Sequence, residues 1–409
     1  MKLQLSAPSS LLLNSEIKIT GSKSETNRLL LLQALYPNIK IENLSNSDDA
    51  QVMASGLKIT KGDVDIHHAG TAMRFLTSYF ASQPGKEVIL TGSKRMQERP
   101  IKVLVDALKS LGAEISYEKN EGYPPIKIVG KQLDKNQVSL PANISSQYIS
   151  SLLLTAPSLK NGLKLELIGK ITSVPYIKMT LALLQEIGIN TQFEGNLIKV
   201  FPKANVDNTD LVVESDWSAA SYFYSIAALS EVGSQIKLSA YKENSLQGDS
   251  VLSEIYKEFG VETQFLENQI VLEKTSTKID RKITLALENA PDIAQTIAVT
   301  CLGLGIGCHL TGLHTLPIKE TDRLAAMKTE LEKLGGEVSI TEESLTLKSC
   351  ENLTSNIAID TYNDHRMAMA FAPIALRIPV CVNDAGVVSK SYPDFWKDME
   401  IIGIGVNKI

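Results

Sequence analysis

The sequence predicts an α/β protein composed of six repeated βα-rich units, the first of them shortened. The first observation is that six polar segments each lead into an apolar helix rich in small residues. The equivalent helix starts are Ser24, Thr71, Ser146, Ser218, Asp292 and Asp364. Successive starts lie 47, 75, 72, 74 and 72 residues apart. A period of about 73 residues therefore runs through the chain, with one short interval at its beginning.

The elements that follow each buried helix supply the second observation. A strand-like run comes next, as in VILTG, LKLELIG, IKLSAY, CHLTGL and VCVND. A second, amphipathic helix then commonly ends in a glycine, as in DALKSLGAEI, LALLQEIGIN, IYKEFGVE and ELEKLGGEV. Glycine at or beyond the last residue of a helix is a usual stop signal. Each complete unit is therefore predicted to contain a buried helix, a strand, an outer helix and a further strand.

The start of the first buried helix admits two interpretations. The segment GSKSETNR runs directly into Leu29–Leu32. Because the leucines leave no polar face, this helix should be buried, with unpaired N–H groups and the positive end of its dipole at its start. With Lys23 and Arg28 added, such a start is suited to bind an anion. Alternatively, Ser24 is an N-cap, followed by a solvated first turn that contains Asn27 and Arg28.

Cations recur near the edges of the units. They are Lys23, Arg28, Arg74, Arg95, Arg99, Lys319, Arg323, Arg366 and Lys390. In a chain with a formal net charge of −5, this clustering exceeds what solubility requires. Because corresponding ends of repeated units tend to face the same way, the polar helix starts indicate a binding surface for a multiply charged anion. For Arg74 and Arg95 a surface or salt-bridged role stays open, and KETDR could be a charged helix start.

Composition excludes several classes of function. The 409 residues are 44% hydrophobic and 21% charged, which excludes a disordered chain and allows two or three domains. The negative net charge argues against a general binder of nucleic acid or membrane surfaces. No apolar run of about 18 residues and no signal-peptide pattern occur, so no membrane segment is expected. Four cysteines without CxxC spacing predict a reducing cytoplasm and neither disulfides nor a zinc site; they are Cys301, Cys308, Cys350 and Cys381.

Eight segments closely resemble the motifs of one known family, the 5-enolpyruvylshikimate-3-phosphate (EPSP) synthases, and occur in the family order. They are GSKSETNR, AGTAMR, RMQERPI, GYPP, SSQYISSLLLTAP, PDIAQTIAV, IKETDRL and YNDHRMAMAF. The resemblance implies an α/β fold of two similar domains that close over a central cleft, each with three repeated units of buried parallel helices and outer sheets. One domain would join residues 1–20 to 214–409, and the other would comprise residues 21–213.

The resemblance also implies a reaction. Members of this family transfer the enolpyruvyl group of phosphoenolpyruvate to the 5-hydroxyl of shikimate 3-phosphate and release phosphate, as a step of aromatic amino-acid biosynthesis. Both substrates carry a phosphate and a carboxylate, which suits the arginines and the polar helix starts. No cofactor and no metal are expected. We expect a cytoplasmic monomer whose partners are these two small molecules.

Carried over position by position, the resemblance assigns site residues. For shikimate 3-phosphate they are Lys23, Ser24, Arg28, Ser145, Ser146, Gln147, Ser173, Tyr176, Asp292, Thr315 and Lys319. For phosphoenolpyruvate they are Lys23, Gly70, Arg99, Gln147, Arg323, Arg366 and Lys390. Asp292 would accept the proton of the 5-hydroxyl and Glu320 would protonate the methylene carbon, while a share of Lys23 in that protonation stays open. The structural alternatives are a capping Asp292 and a salt-bridged Glu320.

Several residues depart from the family pattern. His68 stands where the family usually has Asn, and Phe75 where many members have Pro. Thr315 and Pro317 replace the more usual Asn and Arg, so the substrate hydrogen bond made there is expected to be weaker. The first interval is about 25 residues short, which removes much of a hairpin. His67 and His68 are adjacent and would point to opposite faces of an extended segment, so they predict no metal site.

Two other functions remain as alternatives. One is a UDP-N-acetylglucosamine enolpyruvyl transferase, which shares the fold and typically carries a cysteine ahead of the Arg-Pro pair that corresponds to Arg99–Pro100. The segment TGSKRMQERP has no cysteine, which favours the shikimate enzyme. The other alternative is a non-catalytic relative that retains anion binding. The presence of Asp292 and Glu320 argues against it, and turnover is the test.

Overall fold

The structure of the protein is a computed structural model that describes residues 1–8, 12–143, 145–169, 171 and 174–409. The chain divides into two compact units. One comprises Gly21–Val213, and the other joins Met1–Thr20 to Glu214–Ile409. The chain therefore leaves the second of these units after Thr20 and returns to it at Glu214.

Short strands occur throughout both units. In the described residues they are β1 (Leu3–Ser6), β2 (Asn14–Ile17), β3 (Ile39–Glu42), β4 (Lys61–Asp65), β5 (Glu87–Thr91), β6 (Glu114–Tyr117), β7 (Ile126–Val129), β8 (Gln137–Pro141), β9 (Leu163–Ile168), β10 (Thr191–Glu194), β11 (Leu197–Val200), β12 (Thr209–Val212), β13 (Gln235–Ser239), β14 (Val261–Leu266), β15 (Gln269–Lys274), β16 (Lys282–Ala286), β17 (Gly307–Thr311), β18 (Val338–Ile340), β19 (Leu345–Leu347), β20 (Ile357–Ile359), β21 (Val380–Val382) and β22 (Gly405–Lys408).

Helices alternate with these strands. The α-helices of the described residues are α1 (Lys23–Leu35), α2 (Asp48–Leu57), α3 (Gly70–Ser82), α4 (Lys94–Gln97), α5 (Lys102–Leu111), α6 (Ser146–Thr155), α7 (Val174–Glu186), α8 (Trp217–Leu229), α9 (Leu252–Ile255), α10 (Ala294–Leu304), α11 (Arg323–Lys333), α12 (His365–Phe371) and α13 (Phe395–Ile401). Short 3-10 helices cover Ala156–Ser158, Gly248–Val251, Tyr256–Phe259, Pro291–Ile293, Leu316–Ile318, Ala372–Leu376 and Ala385–Lys390. None of the helices described here has the length and apolar character that a bilayer crossing requires.

Five four-stranded sheets share one topology. In the unit Gly21–Val213 the strand orders are β4-β5-β7-β6 and β8-β9-β11-β10. In the other unit they are β2-β13-β15-β14, β16-β17-β19-β18 and β20-β21-β1-β22. In every one of them the first two strands are parallel and the two remaining pairs are antiparallel. This repetition confirms the predicted α/β architecture of recurring units.

The short first interval has a structural counterpart. Strands β3 and β12 form a two-stranded parallel sheet, in which Ile39 pairs with Thr209 and Glu42 with Val212. The parallel pair of the other sheets is therefore present here, whereas the antiparallel hairpin is not found among the described residues of this sheet. Between α2 and α3 the chain forms the single strand β4. The missing residues thus correspond to the hairpin, as the interval predicted.

Apolar helices form the interior of each unit. Every residue of α3 is buried, and α3 packs against α1, α2 and α6. Helices α8 and α10 are almost entirely buried in the other unit. Their hydroxyl groups bond to one another across the helix interfaces: Ser221 with Thr296 at 3.0 Å, and Thr300 with Ser225 at 2.8 Å. Small hydroxyl residues therefore let the helices approach closely while their polar groups stay satisfied.

The predicted outer helices end at glycines, with one change of length. Helix α5 ends at Gly112, whose φ of 109° lies in the left-handed region that only glycine adopts without strain. The glycines that end the three other quoted segments also have positive φ. In IYKEFGVE the predicted helix is shorter than expected, because α9 spans only Leu252–Ile255 and continues as the 3-10 helix Tyr256–Phe259.

Candidate active site

Helix α1 begins two residues earlier than a cap at Ser24 would require. The N-cap is Ser22, and the helix starts at Lys23, so Ser24 lies in the first turn. Asn27 and Arg28 are buried, at 0% and 3% exposure. The alternative of a capping Ser24 and a solvated first turn is therefore wrong. The reason is that α1 packs against α2, α3, α6 and α7.

Arg28 has polar partners but no carboxylate within ion-pair distance among the described residues. Its Nε donates to Thr180 Oγ1 at 2.8 Å, Nη1 to the Ser24 carbonyl at 2.7 Å, and Nη2 to Ser150 Oγ at 3.1 Å and the Tyr176 carbonyl at 3.4 Å. No ion pair of Arg28 with a carboxylate occurs within the described part of the chain. Burial lowers the pKa of Arg28 to about 10. The nearby charge of Glu25 offsets part of this shift. A buried guanidinium without a carboxylate in direct contact is costly, which marks this position as a place for an anion.

Aromatic rings complete the surroundings of Arg28. The guanidinium lies 5.5 Å from the centre of the Phe75 ring and 5.9 Å from that of Tyr176. Tyr176, one of the predicted site residues, belongs to α7. Phe75 is the residue that departs from the family pattern, and here it packs against a predicted ligand of shikimate 3-phosphate. Such contacts hold a cation by attraction to the ring faces.

Lys23 lies at the start of α1 and pairs with Asp49. Its Nζ is 3.5 Å from Asp49 Oδ2, and Asp49 belongs to the first turn of α2. Beside Asp49 lies a cavity of about 300 Å³. Asp48, Asp49, Gln51, Val52, Ile66, His67, His68 and Ala69 line it. Within the described chain, no group of three or more His, Cys, Asp or Glu side chains has an arrangement suited to a metal ion.

Arg99 packs against the start of α3. A Cβ atom on Gly70 would lie 2.6 Å from Arg99 Nη1, so the two predicted residues are in close contact. The chain just after Arg99 is held in place, because the Pro100 carbonyl accepts from Arg74 Nη2 at 2.9 Å and from Tyr148 Oη at 2.5 Å. Arg74 is therefore a buried structural residue and not a surface arginine. Arg95, the other arginine whose role was left open, is exposed and forms a salt bridge with Glu98.

The start of α6 carries the predicted serines and glutamine. Ser145 is the N-cap, and its Oγ accepts from the Gln147 N–H at 3.4 Å. Ser146 is the first helical residue. Gln147 Nε2 donates to Thr71 Oγ1 at 3.1 Å, which joins the starts of α6 and α3. The predicted Ser173 lies outside the described residues.

Asp292 lies among three cations in the other unit. Its Oδ1 is 2.8 Å from Arg323 Nη1 and 3.3 Å from Lys319 Nζ, and its Oδ2 is 3.4 Å from Arg366 Nη2. Asp292 lies inside the 3-10 helix Pro291–Ile293, whose N-cap is Ala290, so it does not occupy a cap position. Burial acts to raise the pKa of Asp292, but Lys319, Arg366 and Arg323 outweigh burial and hold that pKa well below its usual range.

Arg323 is the centre of this cluster. Its side chain is 2% exposed and contacts three carboxylates. Besides Asp292, these are Glu320, with Oε2 at 2.8 Å from Nη2, and Asp364, with Oδ2 at 2.7 Å from Nε. Glu320 is therefore salt-bridged in this structure, as the structural alternative stated. One guanidinium links the predicted proton acceptor to the predicted proton donor.

The remaining predicted residues of this unit lie on neighbouring segments. Arg366 Nη2 donates to Ser218 Oγ at 3.1 Å, and Lys390 Nζ donates to the Asn363 carbonyl at 2.5 Å. The Thr315 hydroxyl is buried at the start of the 3-10 helix Leu316–Ile318 and has no hydrogen-bond partner among the described residues. Its hydrogen-bonding capacity is therefore unused in this structure.

Two acidic residues belong to these sites although they were not predicted as site residues. Asp49 is the ion-pair partner of Lys23, and Asp364 binds Arg323 and accepts from the Arg366 N–H at 2.9 Å. Asp364 precedes His365-Arg366 in the quoted motif YNDHR, and that adjacency was the available signal. No spacing rule connects Asp49 to Lys23, because the two residues lie on different helices.

Buried helices that begin at clustered cations and carboxylates define a class: an α/β anion-binding protein equipped for proton transfer. The EPSP synthase family model, described as 3-phosphoshikimate 1-carboxyvinyltransferase, matches residues 58–399. The chain is 44% identical over 410 residues to the 3-phosphoshikimate 1-carboxyvinyltransferase of Bacteroides fragilis, with 99% of both chains covered. It is 35% identical to that of Vibrio campbellii, with 95% and 97% covered. The chain belongs to the EPSP synthase family.

Solved structures of low sequence identity share the fold. The EPSP synthase of Acinetobacter baumannii superposes with a TM-score of 0.81 at 20% identity, with 100% of both chains covered. The enolpyruvyl transferase NikO of Streptomyces tendae superposes with a TM-score of 0.76 at 12% identity, with 99% and 98% covered. These likenesses confirm the predicted fold class over the whole chain.

Proposed function

We propose that this chain catalyses the reaction after which its family is named: transfer of the enolpyruvyl group of phosphoenolpyruvate to the 5-hydroxyl of shikimate 3-phosphate, with release of phosphate. The observation that carries the proposal is the shared guanidinium of Arg323, which binds Asp292 and Glu320 at 2.8 Å each. An acid and a base held by one cation can serve two proton transfers beside a phosphate group.

The reaction needs both carboxyl groups. Protonation of the methylene carbon of phosphoenolpyruvate by Glu320 makes the neighbouring carbon electrophilic. The 5-hydroxyl oxygen adds there while Asp292 takes its proton, which gives a tetrahedral ketal that still carries the phosphate. Loss of phosphate and of one methyl proton then forms the enol ether. The cations Arg323, Arg366 and Lys390 stabilise the leaving phosphate.

Electrostatics favour a change in Asp292 when the substrates bind. In the structure, three cations hold the pKa of Asp292 well below its usual range, which makes it a weak base. The phosphate and carboxylate of an incoming substrate compete for the same N–H groups of Arg323 and Arg366. Neutralising those charges raises the pKa of Asp292 toward a value suited to proton transfer. The ion cluster is thus a resting arrangement that the anionic substrate replaces.

Residues of the unit Gly21–Val213 are assigned to the substrates as follows. Arg28, which is buried without a carboxylate in direct contact, takes the shikimate carboxylate region together with Ser24, and Tyr176 packs beside the ring. Ser145, Ser146 and Ser173 bind the phosphate of shikimate 3-phosphate. Gly70 and Arg99 bind phosphoenolpyruvate. Lys23 and Gln147 contact both substrates.

In the unit with Glu214–Ile409, phosphoenolpyruvate is assigned to Arg323, Arg366 and Lys390. Lys319 and the unused hydroxyl of Thr315 contact shikimate 3-phosphate. The shorter Thr315 side chain offers one hydroxyl in place of the more usual amide, so its contribution to binding is expected to be small. We further propose that the protein acts as a monomer in the cytoplasm, where its four free cysteine thiols stay reduced.

Phosphate release tests this function directly. The purified protein is incubated with phosphoenolpyruvate and shikimate 3-phosphate, and with each substrate alone as a control. We expect stoichiometric phosphate and an enolpyruvyl ether only when both are present. UDP-N-acetylglucosamine replaces shikimate 3-phosphate in a parallel reaction. Phosphate release with that acceptor instead would identify the sister transferase, and binding of both anions without turnover would identify a non-catalytic relative.

A further inference from the structure

A strained turn precedes helix α12, which carries Arg366 in its first turn. Tyr362 and Asn363 are consecutive non-glycine residues with φ of 52° and 56°. The left-handed region is unfavourable for residues with a Cβ atom, and more so for a bulky aromatic residue than for asparagine. Such a conformation persists only where the surrounding structure holds it. The turn is closed by a hydrogen bond from the Asp364 N–H to the Thr361 carbonyl at 2.7 Å.

This turn places groups that contact three cations. The Asn363 carbonyl accepts from Lys390 Nζ at 2.5 Å. The next residue, Asp364, binds Arg323 Nε at 2.7 Å and accepts from the Arg366 N–H at 2.9 Å. A change of the turn would therefore move partners of Lys390, Arg323 and Arg366 together.

A buried side chain of α11 contacts the turn. Glu330 is fully buried and lies seven residues after Arg323, about two helical turns along the same face. Its Oε1 accepts from Tyr362 Oη at 2.6 Å, and its Oε2 accepts from the Asp360 N–H at 3.2 Å. One helix thus contacts the segment 360–364 twice, through Arg323 at its start and through Glu330 near its end.

A second layer of contacts compensates the buried charge. Lys333 Nζ donates to both carboxylate oxygens of Glu330 at 2.9 Å and to Asp360 Oδ2 at 2.7 Å. Asn383 Nδ2 donates to Asp360 Oδ1 at 2.7 Å. Burial, followed by the bond to Glu330, raises the pKa of Tyr362 to about 12, so its hydroxyl stays a donor at neutral pH. Each carboxylate oxygen of Glu330 and Asp360 therefore has at least one hydrogen-bond donor.

We propose that Glu330 and Tyr362 are positioning residues: the hydrogen bond from the partly exposed Tyr362 to the buried Glu330 holds the left-handed turn that sets the arrangement of Arg323, Arg366 and Lys390. The kinetic part of this inference rests on the proposed function, because these three cations are assigned to phosphoenolpyruvate. Neither positioning residue contacts a reacting atom. Their removal therefore weakens the use of phosphoenolpyruvate more than that of shikimate 3-phosphate.

Tyr362→Phe is the principal test, because it removes one hydroxyl and keeps the ring. We expect the KM for phosphoenolpyruvate to rise roughly tenfold, as is typical when a hydrogen bond to a charged group is lost. The KM for shikimate 3-phosphate should stay within about twofold, because the three cations are assigned to phosphoenolpyruvate. A uniform loss of fold would instead raise both KM values. Glu330→Gln should give the same split, and the double variant should be no worse than the stronger single variant, since both remove one link.

Tyr224→Phe is the matched control. It removes another hydroxyl of the same unit, one that bonds to Thr263 Oγ1 at 2.8 Å, far along the chain from the turn. It should lower the melting temperature to a similar degree without separating the two KM values. An equal rise of both KM values in Tyr362→Phe, the same split in Tyr224→Phe, or additive effects in the double variant would overturn the inference.

A crystal structure of Tyr362→Phe gives a readout that does not depend on turnover. We expect the φ angles at positions 362 and 363 to leave the left-handed region and the 2.7 Å contact between Arg323 and Asp364 to lengthen. An unchanged turn with that contact intact would reject the positioning role even if the wild-type protein were inactive. Inactivity of the wild type with both substrates would instead reject the proposed function.

Discussion

Arg28→Met should separate binding from stability. At neutral pH, below both pKa values, the whole cost of burying the charge is present. Burial lowers the pKa of Arg28 from 12.5 to about 10, and one pKa unit corresponds to about 1.4 kcal/mol, so the cost is about 3 kcal/mol. Methionine has a similar length and no charge, and it removes this cost.

The hydrogen bonds lost with the guanidinium offset only part of that gain. Thr180 Oγ1 also lies 3.0 Å from Ser150 Oγ and 2.9 Å from the Tyr176 carbonyl, so these groups keep partners without Arg28. The Ser24 carbonyl loses one bond, which costs about 1 kcal/mol. The net effect is a gain of about 2 kcal/mol at most, or a rise of roughly 4–8 °C in the melting temperature for a domain of this size.

Binding should change in the opposite direction. A lost charge-assisted contact costs about 1.5–3 kcal/mol, which is roughly a tenfold to hundredfold weaker affinity for shikimate 3-phosphate. At a concentration 100 times its dissociation constant, the ligand stabilises the wild type by about 2.7 kcal/mol, and the variant should lose most of this shift. Titration calorimetry with each substrate and thermal unfolding with and without shikimate 3-phosphate measure both effects.

The control for this experiment is Arg95→Met, which removes an exposed arginine of the same unit that pairs with Glu98. It should change neither the melting temperature nor either affinity. The reasoning would be refuted if Arg28→Met lowered the melting temperature of the free protein by several degrees. It would equally be refuted if the variant bound shikimate 3-phosphate within about threefold of the wild-type affinity, below the range of a charge-assisted contact.

Three further predictions follow from the ionisable groups. Asp292→Asn and Glu320→Gln each remove one carboxylate partner of Arg323. Both variants should lower kcat by roughly 10²–10⁴-fold in phosphate-release assays. Only Glu320→Gln should abolish uptake of solvent deuterium into the methylene group. Lys23→Met should weaken both substrates in separate titrations, whereas equal binding of either one would contradict its shared role. Burial and, second, the charge of the nearby Asp292 raise the pKa of Asp249 to about 6. The folded state therefore binds this proton more tightly than the unfolded state does. The contribution of Asp249 to the free energy of unfolding should fall as pH rises from about 4 to 6 and level off above. Burial also raises the pKa values of Glu214 and Asp398, so the slope of Asp249 is isolated as the difference in unfolding free energy between the wild type and Asp249→Asn. A difference that does not change with pH would assign the slope to other groups.

The repeated architecture could be predicted because its signals are local or periodic. The interval of about 73 residues, the apolar helices and the stop glycine such as Gly112 each reflect a preference that acts within a few residues. The missing hairpin was predicted from the short interval between the first two helix starts. The length of α9 was mispredicted, because its amphipathic pattern does not distinguish one α-helical turn followed by a 3-10 helix from a continuous α-helix.

The sequence by itself determined the family, the α/β units and the identity of the charged residues near the helix starts. Only the tertiary structure decided what each charge contacts. Arg28 meets hydroxyl groups 122 and 152 residues away and no carboxylate, whereas Arg323 meets three carboxylates, one of them 41 residues away. Both arginines lie in the first two turns of a helix, and local pattern does not show which groups each one contacts. The difference arises because burial makes a charge depend on the nearest groups in space, and those are set by how distant segments pack.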